Sequence, residues 1–271
     1  MRVVVTGAGG MLGQDVLHAA GDGALGLARA DLDVTDAGAV RDALADAELV
    51  VNCAAYTDVD GAESEPDAAL RVNGEGAGNV AAAAAAGGAA VIHLSTDYVF
   101  DGTKEGAYLE SDPTRPLQEY GRSKLAGEEA VVRANPRHHI VRSSWLFGAG
   151  GANFVDTMLR VARERGEARV VDDQVGCPTF TGHLARGLLA LADDDDYGVR
   201  HMAGAGSCSW YEFAREIFTR AGVRCELSPC ATSEFPRPAR RPANSVLRSE
   251  RPGPRLPAWQ EGLAAYLKVR A

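Results

Sequence analysis

Tyr120 and Lys124 stand four residues apart in the run Tyr120-Gly121-Arg122-Ser123-Lys124, so in a helix both side chains project from one face. A phenol beside an ammonium suits one kind of chemistry. A carbonyl that takes a hydride at carbon must take a proton at oxygen. A phenol, with an ordinary pKa of about 10, serves that purpose at neutral pH when a nearby positive charge lowers it. Ser95-Thr96-Asp97 follows an apolar run, which puts the Thr96 hydroxyl at a strand end, where it can donate to the same carbonyl oxygen. By itself a Tyr-x-x-x-Lys spacing also fits an ordinary surface helix, so the assignment depends on what accompanies it.

The accompaniment is Thr6-Gly7-Ala8-Gly9-Gly10-Met11-Leu12-Gly13, placed where a first strand turns into a first helix. A dinucleotide pyrophosphate rests on backbone N–H groups at such a turn. The spacing is GxxGxxG, with Gly7, Gly10 and Gly13, because the GxGxxG form would need glycine where Leu12 stands. Gly7 allows the tight turn, Gly10 the approach of the pyrophosphate, and Gly13 the packing of helix on sheet. With that loop in the same chain and in the right order, Thr96, Tyr120 and Lys124 read as a catalytic set, and Lys124 also holds the nicotinamide ribose. The second strand ends at Arg29, with Asp31 and Asp33 close behind. An arginine there receives a 2′-phosphate and an acid repels it, so NADPH is expected over NADH, with Arg29 carrying the preference and NADH remaining usable.

These side chains need a scaffold, and the first half of the chain reads as one. Short apolar runs at Val3–Thr6, Ala24–Ala28, Leu49–Cys53 and Ala90–Ser95 alternate with helical patterns at Met11–Ala20, Asp36–Ala47 and Glu65–Ala86. Glu119–Ala134 is a further helix and His139–Arg142 a further strand. Such alternation marks βαβ units winding a parallel sheet. After Gly148 the rhythm loosens into an amphipathic Asn153–Arg165, an acidic run Asp193–Asp196 read as a solvated helix end, a Pro- and Arg-rich Pro229–Pro242, and a final helix Trp259–Leu267. The expected fold is α/β, a Rossmann-type doubly wound parallel sheet with a small, partly discontinuous substrate-binding cap. Residues 1–147 form the dinucleotide-binding domain with the Tyr/Lys helix, and residues 148–271 are mainly substrate-binding, with part returning to the core.

Composition agrees with an ordinary globular enzyme. The chain has 271 residues, a net charge of −9 and 24% charged residues, a balance that disfavours nucleic acid and membrane surfaces as partners. An anionic substrate therefore needs a local basic pocket, and Arg237, Arg240 and Arg241 are the cluster that could supply guanidinium forks for a diphosphate. Five scattered cysteines form no CxxC pair and no metal-ligand spacing, so they read as reduced thiols and no metal ligand is assigned. The first residues enter a strand directly and no apolar run is long enough to span a membrane, which makes a cytoplasmic location the expectation.

Several stretches resemble the short-chain dehydrogenase/reductase superfamily and, within it, the dTDP-4-dehydrorhamnose reductase family. They are TGAGGMLG from Thr6, VNCAAYTDVDGAESEP from Val51, HLSTDYVFDG from His93, EYGRSK from Glu119, RSSWLFG from Arg142, DDQVGCPT from Asp172 and RPANSVL from Arg241. The resemblance implies NAD(P)H-dependent reduction of the 4-keto group of a dTDP-4-keto-6-deoxyhexose. It implies that Gly10, Met11 and Leu12 contact the cofactor pyrophosphate, that Asp33 and Val34 border the adenine, and that Ala54, Ala55 and Tyr56 run beside the cofactor. Thr96 and Asp97 meet the sugar, Tyr120 and Lys124 carry the proton chemistry, and Trp145 packs on the substrate. Family members can dimerise around magnesium held by carboxylates. Asp15 fits one such place, but Gly182 and His183 stand where another is sought, so a metal bridge is not expected and monomer and homodimer both stay open. Dehydratases on this fold place Glu two residues after the strand-end threonine, whereas here the residue is Tyr98, which favours simple ketone reduction. A 4-ketoreductase of another deoxysugar and a noncatalytic binding subunit are the alternatives.

Overall fold

In the computed structural model, which describes residues 1–270, β1 (Val3–Thr6) has four buried residues in succession. A strand covered on both faces needs such a run, because successive side chains point to opposite sides. Val3 and Val5 join one core layer and Val4 the other. β1 is flanked by β2 (Leu25–Leu27) and β3 (Leu49–Asn52), followed outward by β4 (Ala90–Thr96), β5 (His138–Ser143) and the strand Gly198–His201. All five pairings in this six-stranded sheet are parallel. The direction of the chain reverses across β1, leaving a crevice at the carboxyl ends of the strands where such sheets take ligands.

Helices cover both faces. α1 (Met11–Ala20) packs on one side and α2 (Ala37–Leu44) on the other. α3 (Gly61–Ser64) leads into α4 (Pro66–Leu70), a π-helical turn (Arg71–Gly76) and α5 (Ala77–Ala86). The expected single helix Glu65–Ala86 therefore carries a wide turn, of the kind that marks functional sites, and the alanine run buries Ala81, Ala83 and Ala84. α6 (Glu119–Ala134) matches its expected bounds and lies against β4, α5 and the π turn.

The second half builds another core around Phe147, Phe180, Phe213, Trp259 and Tyr266. Its helices are α7 (Phe154–Arg165), α9 (Trp210–Ala221) and α10 (Trp259–Val269), with a parallel pair of strands, Glu167–Val171 and Glu226–Cys230. α8 (Thr181–Leu189) packs instead on α1, and Gly198–His201 completes the large sheet. The acidic run Asp193–Asp196 lies beyond the end of α8, with Asp193, Asp195 and Asp196 exposed as expected, but it is not only a solvated end. α8 stops at Leu189, and Asp194 and Asp196 are ion-paired with Arg200, whose side chain is 4% exposed, while Asp196 also pairs with Arg251. The run thus ties the last sheet strand to the segment before α10.

α6 approaches the π turn so closely that a Cβ at Gly127 would sit 2.1 Å from the Asn73 carbonyl oxygen. Backbone cannot yield there. Gly127→Ala is expected to destabilise the protein by about 1–3 kcal/mol through overpacking, whereas Gly23→Ala, with no atom within 4 Å of the added carbon, should stay within about 0.5 kcal/mol of wild type. Thermal unfolding of both variants checks this; equal melting temperatures would contradict the contact.

Candidate active site

Two clefts flank the sheet, one lined by residues that follow β1, β2 and β3 and the other reaching Tyr98, two residues beyond β4. The first, about 850 Å³, is lined on one side by Gly7, Gly10, Ala28 and Arg29 and on the other by Ala54 and Tyr56. Gly7 has φ +69°, and a Cβ there would lie 2.5 Å from the Ala54 nitrogen; at Gly13 a Cβ would lie 2.4 Å from the Gly7 carbonyl oxygen. The loop therefore closes on itself only with glycine at both positions. Gly10 caps α1 without a side chain, so the first N–H groups of the helix, at Met11 and Leu12, lack intrahelical acceptors and offer an anion site. The Leu12 side chain is buried in the core, so its contribution to the cleft is backbone.

At the adenine end the cleft holds Arg29, Asp33, Val34 and Arg71. Asp33 accepts hydrogen bonds from Thr35 N at 2.9 Å and Thr35 Oγ1 at 2.8 Å, and these contacts, with smaller help from Arg29 and Arg71, lower its pKa further below the carboxylate value. Asp31 accepts from Ala28 N at 2.9 Å. Both acids are thus occupied by their own loop, while Arg29 is exposed and forms no ion pair among the described residues. Arg71, from the π turn, is a cofactor-cleft residue that the sequence reading missed. Asn73 is another: it accepts from Tyr56 N at 2.9 Å and donates to Tyr56 O at 3.1 Å and Ser123 Oγ at 2.9 Å, locking the Ala55–Tyr56 loop to α6. The sequence signal was an Asn-Gly pair inside an otherwise helical stretch.

Thr96 ends β4 and Tyr120 and Lys124 lie on the facing α6, and none of the three lines either cleft. Thr96 Oγ1 donates to Asp97 Oδ1 at 2.9 Å and accepts from Tyr98 N at 3.1 Å, and the Tyr120 phenol lies near it. Lys124, 3% exposed, donates to the Leu94 carbonyl at 2.5 Å. Burial lowers its pKa to about 8, against the pull of Glu128 and Cys53. The expected lowering of the phenol by Lys124 is not what this protein shows. Burial, and then the nearby Asp97 carboxylate, push the Tyr120 pKa up, with only the Thr96 contact opposing. The phenol is therefore held protonated, ready to give a proton rather than to take one.

The second cleft, about 750 Å³, opens beyond Tyr98 between the sheet and the second core, with Asp60, Trp210, Arg237 and Arg241 on its walls. Tyr98 meets Tyr120 edge to face at 6.2 Å. Arg241 bonds Asp60 at 3.1 Å and Arg237 lies 3.7 Å from the same carboxylate. Arg240 is exposed and outside the lining, so Arg237 stands where the sequence reading put Arg240. Trp145 has φ +48° and stacks face to face on Trp210 at 3.5 Å; of the two tryptophans it is Trp210 that lines the cleft. A capping box of Ser209 and Glu212 starts α9 at Trp210 and fixes where that ring stands. Asp15 sits on α1 and His183 on the facing α8, and no cluster of three metal-ligating side chains occurs among the described residues.

A glycine-cradled helix terminus joined to a strand-end threonine and a Tyr-x-x-x-Lys helix defines an oxidoreductase of the short-chain dehydrogenase/reductase class. The chain belongs to the family described as the RmlD substrate binding domain, which it matches over residues 1–271. It is 45% identical to a dTDP-4-dehydrorhamnose reductase of Mycolicibacterium smegmatis over 97% of this chain and 84% of that protein. Among solved structures it is similar to the dTDP-4-dehydrorhamnose reductase of Clostridium acetobutylicum, with TM-score 0.94, 40% identity and coverage of 100% and 99% of the two chains. The Bacillus anthracis enzyme, solved in complex with NADP, gives TM-score 0.95 and 38% identity over 99% of both chains.

Asp97, 3% exposed, has its pKa raised by burial to about 7, against hydrogen bonds from Ser245 and Thr96. Because the folded value lies above the unfolded one, this group stabilises the fold fully below about pH 4 and loses that contribution as pH rises toward 7. Asp97→Asn should therefore gain melting temperature relative to wild type as pH goes from 4 to 8. A difference that stays flat across that range would show that Asp97 ionises freely.

Proposed function

We propose that this chain reduces the 4-keto group of a dTDP-4-keto-6-deoxyhexose, dTDP-4-dehydrorhamnose or a close analogue, with NADPH as the reductant. What supports the reading is one chain that holds a Thr96 strand end, a Tyr120–Lys124 helix face, a dinucleotide cradle after β1 and a second cleft walled by arginines and Trp210. The reduced nicotinamide supplies the hydride. The self-closing glycine turn and the free N–H groups of Met11 and Leu12 fit its pyrophosphate. Tyr120 gives the keto oxygen its proton, and Thr96 donates to the same oxygen once its one hydroxyl hydrogen turns from Asp97 to the substrate. Lys124 holds the ribose and places an ammonium near the phenolate left behind, which is the charge that must be stabilised. Asp97 keeps the Thr96 hydroxyl oriented. Arg241 and Arg237 leave Asp60 for the substrate diphosphate, and the Trp145–Trp210 stack forms the rigid wall for the sugar nucleotide. No helix among the described residues is long and apolar enough to cross a membrane. We place the enzyme in the cytoplasm, acting as a monomer or homodimer.

Incubation with candidate dTDP-4-keto sugars and NADPH, with NMR of the sugar product, tests the reading directly: dTDP-L-rhamnose is expected. A different deoxysugar would reassign the substrate, and no cofactor oxidation with any of them would leave a binding protein. Tyr120→Phe should lower turnover at least ~10²-fold with cofactor affinity nearly intact; wild-type turnover in that variant rules the proton donor out.

Cofactor choice gives a separate check. With Asp31 and Asp33 engaged by their own loop, Arg29 is free to meet a 2′-phosphate. Such a charge-assisted contact contributes on the order of 1.5–3 kcal/mol, roughly a tenfold to hundredfold preference in kcat/KM for NADPH. Arg29→Ala should erase most of it, and a variant that keeps the wild-type preference would pass the role to Arg71.

A further inference from the structure

α6 carries three functional groups on one face, Tyr120, Lys124 and, another four residues on, Glu128. Glu128 is 4% exposed and its carboxylate accepts three hydrogen bonds. Arg142, from β5, donates through Nε to Oε1 at 2.9 Å and through Nη2 to Oε2 at 2.7 Å, and Ser95 Oγ donates to Oε1 at 2.5 Å. Ser95 immediately precedes Thr96. One carboxylate thus ties the Tyr–Lys helix to the strand end that presents Thr96 and to the next strand, by bonds that fix both translation and rotation of α6. Arg142 is itself 4% exposed and lies over the Phe100 ring at 5.1 Å, and its Nη1 has no protein partner.

The charges around Lys124 give this pair a second role. Cys53, which follows β3, and His93 on β4 both face Lys124, but burial pushes the Cys53 thiol up to about 12 and holds His93 far below its usual value, so both are neutral at working pH. From β4 Lys124 also meets the Leu94 carbonyl, and on its own helix Tyr120 is held protonated. The charged groups left at this wall are two buried cations, Lys124 and Arg142, and one carboxylate, Glu128. Arginine does not surrender its proton in proteins, so any imbalance among the three falls on Lys124.

We propose that Glu128 and Arg142 are the positioning pair of this site. Glu128 fixes the Tyr120–Lys124 face against the Thr96 strand end and serves as counter-ion to the Lys124 ammonium, and Arg142 sets how much of that negative charge Lys124 feels. Neither residue lines the cofactor or substrate cleft; both act through Lys124 and α6. The inference rests on the catalytic reading of Tyr120 and Lys124 given above.

The test is the pH profile of kcat/KM for the full-length enzyme with NADPH and the dTDP-4-keto sugar. Glu128→Gln leaves two buried cations unbalanced, so the alkaline limb should move down by about one pH unit. Arg142→Met leaves Glu128 to Lys124 alone, so the limb should move up by a similar amount. In both variants KM for the sugar should stay within about twofold, with the loss in kcat, as expected when ground-state binding is untouched. A structural role alone would lower the melting temperature of both variants without moving their limbs in opposite directions; limbs that move the same way, or not at all, overturn the proposal. If either single variant fails to fold, the double variant Glu128→Gln with Arg142→Met, which removes one buried charge of each sign, decides: a lowered limb supports the pairing and an unchanged one overturns it. Lys124→Met separates the two layers of argument, since full turnover in that variant would sink the catalytic reading itself, whatever Glu128 does.

Discussion

The site depends on α6 lying across β4 with one polar face buried. A buried ammonium is costly unless its charge is answered nearby, yet Lys124 is buried beside the strand whose end presents Thr96. The cost is met by the Leu94 carbonyl and by Glu128, and Glu128 in turn needs Arg142 and Ser95. On the opposite side α6 meets the π turn at Gly127, where no side chain fits, and Asn73 bridges from that turn to Ser123 and Tyr56. A helix held by directional bonds on both flanks has little freedom to slide, and sliding by a single residue would carry Tyr120 off the Thr96 hydroxyl.

The same constraint explains why the two halves of the molecule are interleaved. Segments from the second half are tied to the first by Asp60, which pairs with the arginines of the Arg237–Arg241 segment, and the stretch before α10 is tied to the last sheet strand's loop by Asp196–Arg251. α8 and Gly198–His201 return from beyond the cap to pack on α1 and β5. The substrate cleft thus lies between elements anchored at several separated points of one chain, which limits how far its walls can part.

Local sequence made the first half of the molecule legible because each strand there is a short apolar run between a turn and a helix, and α6 was placed to the residue. The glycine cradle and the Tyr–Lys face were read from spacing taken together with their order in one chain. What spacing could not show was how side chains are shared. The Asp193–Asp196 run is largely exposed, as expected, but its ion pairs with Arg200 on the following strand and with Arg251 far along the chain could not be read from spacing. Trp145 and Trp210 are 65 residues apart, and only their stacking reveals which ring lines the cleft. The phenol of Tyr120 was expected to be acidified by Lys124 because the two are neighbours on a helix. The burial that such a site requires raises it instead, and Asp97 adds to the effect.

That inversion fits a reductase. In the direction of ketone reduction the phenol must begin with its proton and finish without it, so a group protonated at rest is correctly prepared, and the stabilisation is needed only as the phenolate forms. Lys124 is suited to that moment because burial has brought its own pKa down to about 8, near neutrality. It can remain charged with Glu128 opposite, yet it sits close enough to its own titration for a small change in the surrounding field to matter. The acidic chain, with its net charge of −9, therefore does not govern the reaction centre. In the arrangement proposed here, the local balance of Glu128 against Lys124 on the buried face of α6 and Arg142 on β5 does.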